Sequence, residues 1–118
     1  MTAEEFQALA LRLGAVEMHP ILDTIRFRVA DRTFATLGWP ERGWAVVQLS
    51  ASAQAAVLAS SNAFASDGGR RGERGVTLIR LDRVDAPMLA EVLADAWREA
   101  YRSRDVIAAG AATTSARV

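Results

Sequence analysis

The sequence contains no cysteine, no lysine and only one histidine, and each shortage narrows the chemistry open to it. Without cysteine the chain forms no disulfide, no zinc–thiolate site and no thiol nucleophile. No apolar run approaches the ~20 residues that span a bilayer. The opening residues 1–5 are acidic, whereas a secretory signal begins with basic residues, so the sequence predicts a cytoplasmic protein.

The sequence has 14 arginines and 14 aspartate and glutamate residues, so its formal net charge is zero. This balance argues against a strong non-specific polyanion binder, so any positively charged binding surface has to be a local cluster of arginines. With 24 alanines and arginine as the only cation, the composition is typical of a GC-rich bacterial genome. The 118 residues fit one domain that needs neither disulfide nor metal to stay folded.

Two segments in the first half of the chain are predicted to be helices. Thr2 and Glu5 form a capping box before an apolar stripe, which predicts a helix over residues 3–13 that ends at Gly14. Ser50 is a suitable cap for a second, alanine-rich helix over residues 51–60.

The last helix carries the longest apolar stripe in the sequence. It begins at the capping residue Asp85, and its spacing places Trp97 in the core. The pattern ends near residue 105. The sequence therefore predicts a single domain over residues 1–105, followed by a flexible tail over residues 106–118.

The remaining segments alternate apolar and polar residues as strands do. Thr24–Val29 point Ile25, Phe27 and Val29 to one side and their polar neighbours to the other, as in a strand buried on one face. Further strands are predicted at residues 33–37, 44–49 and 76–81, with a candidate short strand at 15–19 and a polar, glycine-rich loop at 66–75. The order predicts an α+β two-layer sandwich, with helices on one face of an antiparallel sheet.

Five short segments, taken in order, resemble the MmcQ/YjbR family of small bacterial proteins over most of residues 4–102. Arg71 departs from the pattern, because the family usually has an aromatic residue before its glycine motif. The resemblance implies a frataxin-like, double-wing α+β fold, and DNA binding is the family's usual label. The segments resemble the opening helix with its Gly-x-x-Glu (Phe6–Glu17), the first hairpin (Phe27–Val29 and Thr33–Leu37), the strand-to-helix step (Val46–Ser50 with Gln54), the Gly-x-x-Gly-x-Thr strand entry (Gly72–Leu81) and the end of the final helix (Asp95–Arg98).

Arginines on the strands are the first candidate functional feature. Arg26 and Arg28 project from one side of their strand, Trp44 shares a side with Gln48, and Arg80 shares a side with the apolar residues of its strand. If these sides coincide, one sheet face carries arginines beside an indole, which suits phosphate neutralisation and base stacking. The alternative interpretation is the ordinary polar face of a one-sided sheet.

The segment from Arg70 to Arg83 is the second feature, because it concentrates positive charge. Its five arginines outnumber Glu73 and Asp82, which leaves three net positive charges, and the rest of the chain carries three net negative ones. A glycine-rich loop with such arginines suits a flexible wing that follows a phosphate backbone. The alternative is a solvated loop without a ligand.

No pattern in the sequence predicts catalysis, a cofactor or a metal. His19 has Glu17 two residues away but no nucleophile or second metal ligand at a recognised spacing. The acidic residues are scattered and form no carboxylate ridge of the kind that iron binding on a frataxin-like fold requires. The protein is therefore predicted not to be an enzyme.

The sequence thus predicts a small cytoplasmic binding protein with DNA as its candidate ligand, as a monomer or small homo-oligomer. The alternative is a protein-interaction domain that docks a partner through the Trp39–Trp44 turn or a sheet edge. The two indoles either pair across their hairpin or anchor such a partner. The candidate nucleic-acid contacts are Arg26, Arg28, Trp44, Arg70, Arg71, Arg74 and Arg80.

Overall fold

A computed structural model describes the backbone of residues 1–117 and the side chains of residues 1–102. Within this part of the chain, six strands form one antiparallel sheet in the order β1-β2-β3-β4-β6-β5. In chain order the elements are α1 (Ala3–Leu11), β1 (Glu17–Ile21), β2 (Thr24–Val29), β3 (Arg32–Leu37), β4 (Trp44–Gln48), α2 (Ala51–Ser60), β5 (Phe64–Ser66), α3 (Arg70–Glu73), β6 (Val76–Arg80) and α4 (Ala86–Arg117).

One face of the sheet forms the core. Phe27, Ala35, Val47 and Thr77 lie directly opposite one another on four neighbouring strands, and all four are buried. Directly opposite residues share a face, so this row marks the buried side. Phe6 of α1 packs there against Phe27, with ring centroids 5.7 Å apart.

The helices form the second layer, over this buried face. Ala53 and Val57 of α2 pack against the same core as α1 and α4. The stripe predicted for the last helix is the part of α4 that is buried. The predicted α+β two-layer sandwich is therefore confirmed. The buried residues of the stripe are Leu89, Val92, Leu93, Ala96 and Ala100.

The predicted N-cap bonds to Thr2, Ser50 and Asp85 form, and of the two bonds of the Thr2–Glu5 capping box the structure contains the one to the Thr2 side chain. The side-chain oxygens of Thr2, Ser50 and Asp85 accept hydrogen bonds from backbone N–H groups three residues later, at 3.1, 3.2 and 2.9 Å. Each bond satisfies an amide that has no partner inside its helix. α1 ends at Leu11, two residues earlier than the stripe suggested.

β1, β5 and α3 also differ from the sequence-based expectation. β1 begins two residues later than the predicted strand at 15–19, because Ala15 adopts a left-handed conformation with φ +57°. β5 was not predicted, since three residues are too few to show an alternating pattern. α3 lies where the sequence predicted only a loop.

The backbone of α4 continues through Arg117, beyond the predicted end of the domain at residue 105. Side chains after residue 102 lie outside the part of the chain that the structure describes. The flexible tail over residues 106–118 therefore stays a prediction.

Trp97 lies at the margin of the core rather than inside it. Its ring is partly buried, its indole N–H donates to the Gly14 carbonyl at 2.9 Å, and it stacks on Tyr101 with ring centroids 5.3 Å apart. An indole N–H that leaves water needs an acceptor, which explains the position at the core's edge. The bond joins the end of α1 to α4.

Replacing this indole tests the link. Trp97→Phe keeps an aromatic ring but removes the N–H donor, so it should lower the free energy of unfolding by about 1–2 kcal/mol. Urea denaturation followed by far-UV circular dichroism measures the change. Tyr101→Phe is the matched control, because it keeps the stacked ring, and it should change stability by less than about 0.5 kcal/mol.

Candidate nucleic-acid interface

The sheet face opposite the helices, here called the open face, collects several of the predicted site residues. Arg26 lies opposite Thr36, Thr36 opposite Val46, and Val46 opposite Leu78, which forms one row across four strands. The pairing of β2 with β3 shifts register between Phe27 and Arg28, but β2 pairs with β1 without a shift and buries both Phe27 and Val29. Side chains therefore alternate along β2, and the residues two positions away from this row in β2, β4 and β6 share its face. The structure therefore places Arg28, Trp44 and Arg80 on the same side as Arg26.

The arginines of the open face stand at two sides of it. Arg26 and Arg28 project from β2, whereas Arg80 projects from β6, three strand spacings or about 14 Å away. Trp44 lies directly opposite Arg80, whose guanidinium carbon is 4.6 Å from the indole centroid. This distance is that of a cation–π contact.

Arg71 of α3 adds a further guanidinium to this surface. Its guanidinium carbon lies 4.8 Å from the ring centroid of Trp39, and its Nε is 3.3 Å from the Asp67 carboxylate. The side chain also borders a hollow of about 200 Å³ that Thr36 and Val46 line. Arg71 thus extends over the sheet from α3 to the β3–β4 turn.

The two indoles do not pair across their hairpin, which was one of the two interpretations of the sequence. Trp39 and Trp44 form no aromatic pair with each other, and each lies instead beneath an arginine. One face of each ring is already covered, so neither ring offers both faces to a base. The contact partners come from α3 and β6, far along the chain, which is why no local pattern predicted them.

The segment between β5 and β6 is fastened to the rest of the fold. Gln54 of α2 donates from its amide to the carbonyls of Gly72 and Val76, at 3.0 and 3.3 Å. Gln48 of β4 donates to the carbonyl of Arg74, and the Leu49 N–H donates to that of Gly75 at 2.9 Å. These bonds favour a fixed helical turn over the flexible wing that the glycines suggested.

Gly75 explains why glycine stands at the end of this segment. Its φ is +93°, and an added Cβ would lie 1.9 Å from the Leu49 carbonyl oxygen. No larger side chain fits so close to another backbone. The sequence patterns that include Gln48 and Gln54 did not predict that these side chains hold this segment; the Gly72-x-x-Gly75 spacing marked the segment itself.

The remaining two predicted contacts, Arg70 and Arg74, are exposed on α3 and just after it. Arg74 borders a separate cavity of about 690 Å³ at the end of the sheet, where Asp31, Glu73 and Glu99 also lie. The structure therefore brings Arg26, Arg28, Trp44, Arg71 and Arg80 to the open face and leaves Arg74 beside carboxylates at its border.

Most of the predicted arginines are not neutralised inside the molecule. Within the described side chains, Arg71 is the one predicted site arginine with a carboxylate within 4.0 Å. Arg28 donates instead to the backbone carbonyl of Asp31. Glu17 lies opposite Arg28, but its carboxylate contacts the His19 ring at 3.2 Å.

Charge differs between the helices and the strands when the turns and loops are left out of the count. The helices α1, α2 and α4, the last counted to residue 102, carry five acidic residues and two arginines, which leaves three net negative charges. The strands and α3 carry six arginines against Glu17 and Glu73, which leaves four net positive charges. These arginines are Arg26, Arg28, Arg32, Arg70, Arg71 and Arg80.

Across residues 1–102 the structure groups no three histidine, aspartate or glutamate side chains in a way that could hold a metal ion. In the same part of the chain, no helix combines the length and the apolar character needed to cross a membrane. Comparison with protein-family models, curated proteins and solved structures finds no match to this chain.

Crowding at Gly75 gives a test of how firmly the segment is held. Gly75→Ala should lower the free energy of unfolding by about 2–4 kcal/mol, because the methyl group meets the Leu49 carbonyl at a positive φ. Chemical denaturation measures this decrease. Gly68→Ala is the control, since nothing lies within 4 Å of the place its methyl group would take and its φ is not positive; an equal decrease at both sites would contradict the interpretation.

Proposed function

We propose that this protein binds DNA through phosphate contacts on the open face of its sheet. The observation that carries the proposal is the common direction of Arg26, Arg28 and Arg80, joined by Arg71 from α3. On the strands of this face, Glu17 is the one carboxylate among the described residues. Guanidinium groups bind phosphate oxygens through two parallel hydrogen bonds and keep their charge at all relevant pH values.

The division of charge supports binding by a chain with no net charge. The negative helices lie on the far side of the sheet, where they do not neutralise the arginines locally. A polyanion that approaches the open face therefore meets arginines at two sides of it, about 14 Å apart. The closest carboxylate to the four arginines, Asp67, pairs with Arg71 alone.

The indoles take a secondary part in this proposal. Because Arg80 covers Trp44 and Arg71 covers Trp39, a base stacks on a guanidinium–indole pair rather than on a bare ring. Arginine planes accept stacked bases as aromatic rings do. We expect phosphate contacts to supply most of the affinity and stacking to supply less.

Two further parts of this function rest on the sequence. We propose membership of the MmcQ/YjbR-like, double-wing group, with the Gly72–Leu81 entry as the most specific point of resemblance. We also propose binding rather than catalysis, since His19 contacts only Glu17 among the described side chains and no nucleophile accompanies it.

Docking of a protein through a sheet edge has less support. β1 and β2 are joined by a two-residue turn, so Ile21 and Thr24 form the hydrogen-bonded pair next to the turn. Because hydrogen-bonded and non-hydrogen-bonded pairs alternate, the N–H and C=O groups available at the outer edge of β1 belong to positions 18 and 20, Met18 and Pro20. Pro20 has no N–H to offer an added strand. β5, at the other edge, has only three residues.

Substitution of the open-face arginines tests the proposal. Arg26→Gln combined with Arg80→Gln should weaken binding of a labelled DNA duplex and lower the slope of log K against log salt by about 0.9 for each phosphate that the variant no longer neutralises. Fluorescence anisotropy over a salt series measures both effects. Circular dichroism establishes that the variant is folded.

Arg98→Gln combined with Arg102→Gln is the matched control, because it removes the same charge from the helical layer. This control should leave the salt slope unchanged. Equal weakening by both double variants, or no binding by the wild-type protein at ~50 mM salt, would rule out the open face as a DNA-binding surface.

A further inference from the structure

The turn between β1 and β2 carries the most exposed large hydrophobic residue in the described part of the chain. Leu22 is 98% exposed, and its neighbour Ile21 is 41% exposed. Leu22 also has a φ of +55°, a left-handed conformation that turns normally assign to glycine, asparagine or aspartate. Neither burial nor backbone preference within one molecule explains a leucine at this position.

A groove adjoins this leucine on the same surface. It has a volume of about 650 Å³ and lies between the β1–β2 turn, the β3–β4 turn and the start of α1. Leu22 stands at its rim and leaves it unfilled. Its apolar walls are Ile21, Ile25, Leu37, Trp39, Pro40 and Leu81.

We propose that a second copy of this chain occupies the groove, with the Leu22 side chain of each protomer inserted into the groove of the other. A protrusion and a recess on one patch are self-complementary under two-fold symmetry, so a single contact places both leucines at once. Removal of two exposed leucines from water supplies the attraction.

The charges around the groove fit the same arrangement. Asp23, Glu41 and Arg42 line it, all three are exposed, and none forms a salt bridge within the described chain. Because this rim carries both positive and negative side chains, two-fold rotation can place the arginine of one copy against a carboxylate of the other. The zero formal net charge adds no long-range repulsion between copies.

This contact borders the open face but does not use its arginines. The groove lies at the turn end of the sheet, whereas Arg26 and Arg28 project from the middle and far end of β2. Ile21, Thr24 and Trp39 line the groove and also adjoin the open face. Arg26, Arg28, Arg71 and Arg80 do not line the groove, so the dimer contact leaves the proposed phosphate contacts free.

Sedimentation equilibrium of the full chain without nucleic acid tests the proposal. The wild-type protein should form dimers between ~10 µM and ~1 mM, as expected for an interface near or below ~1,000 Å². Leu22→Ser should weaken the dimer by about tenfold or more. Leu58→Ser, on α2, is the matched control because Leu58 is 38% exposed outside the groove, and it should leave the dimer unchanged.

Charge exchange provides a second measurement that does not involve the leucine. Arg42→Glu makes each rim wholly acidic, and Asp23→Arg with Glu41→Arg makes each rim wholly basic, so either variant alone should be monomeric. An equimolar mixture of the two should form a heterodimer. A wild-type chain that stays monomeric at ~1 mM, or dimers that tolerate Leu22→Ser, would overturn the proposal.

Discussion

The register that joins Phe27, Ala35, Val47 and Thr77 determines the direction of every other strand residue in the central sheet. A slip of one residue in β2 or β6 would turn the apolar side chains of that strand to the open face and its arginines into the core. Burial of this row under α1 and α4 therefore fixes the arginine surface as well as the fold. Arg26 and Arg80 lie on strands three positions apart in the sheet. They share a face because the core residues next to them on those strands are buried on the other face.

Local patterns were sufficient for much of the fold. The capping box at Thr2, the stripe after Asp85 and the alternation of Thr24–Val29 each depend on neighbours within a few residues, and each predicted the element that the structure contains. β5 has three residues and α3 has four, so neither shows a period. Their positions depend on pairing with β6 and on hydrogen bonds from Gln48 and Gln54, which no local pattern reveals.

The candidate site was predictable to a similar degree. Alternation alone indicated which side of each strand Arg26, Arg28 and Arg80 occupy, but only the strand order shows that these sides coincide. The contacts of Arg71 with Trp39 and of Arg80 with Trp44 join residues more than thirty positions apart. Such contacts depend on tertiary packing, so the sequence predicted indoles that either pair with each other or anchor a partner, whereas the structure covers each with an arginine.

Because the helices carry net negative charge and the strands net positive charge, this electrically neutral molecule has a dipole component that runs across its two layers. A dipole in the field of a polyanion experiences a torque, and the molecule would turn its sheet toward the polyanion before any contact forms. Salt limits this orientation to separations of about 8–10 Å at physiological ionic strength. A protein without net charge can thus select its angle of approach while gaining little attraction at long range.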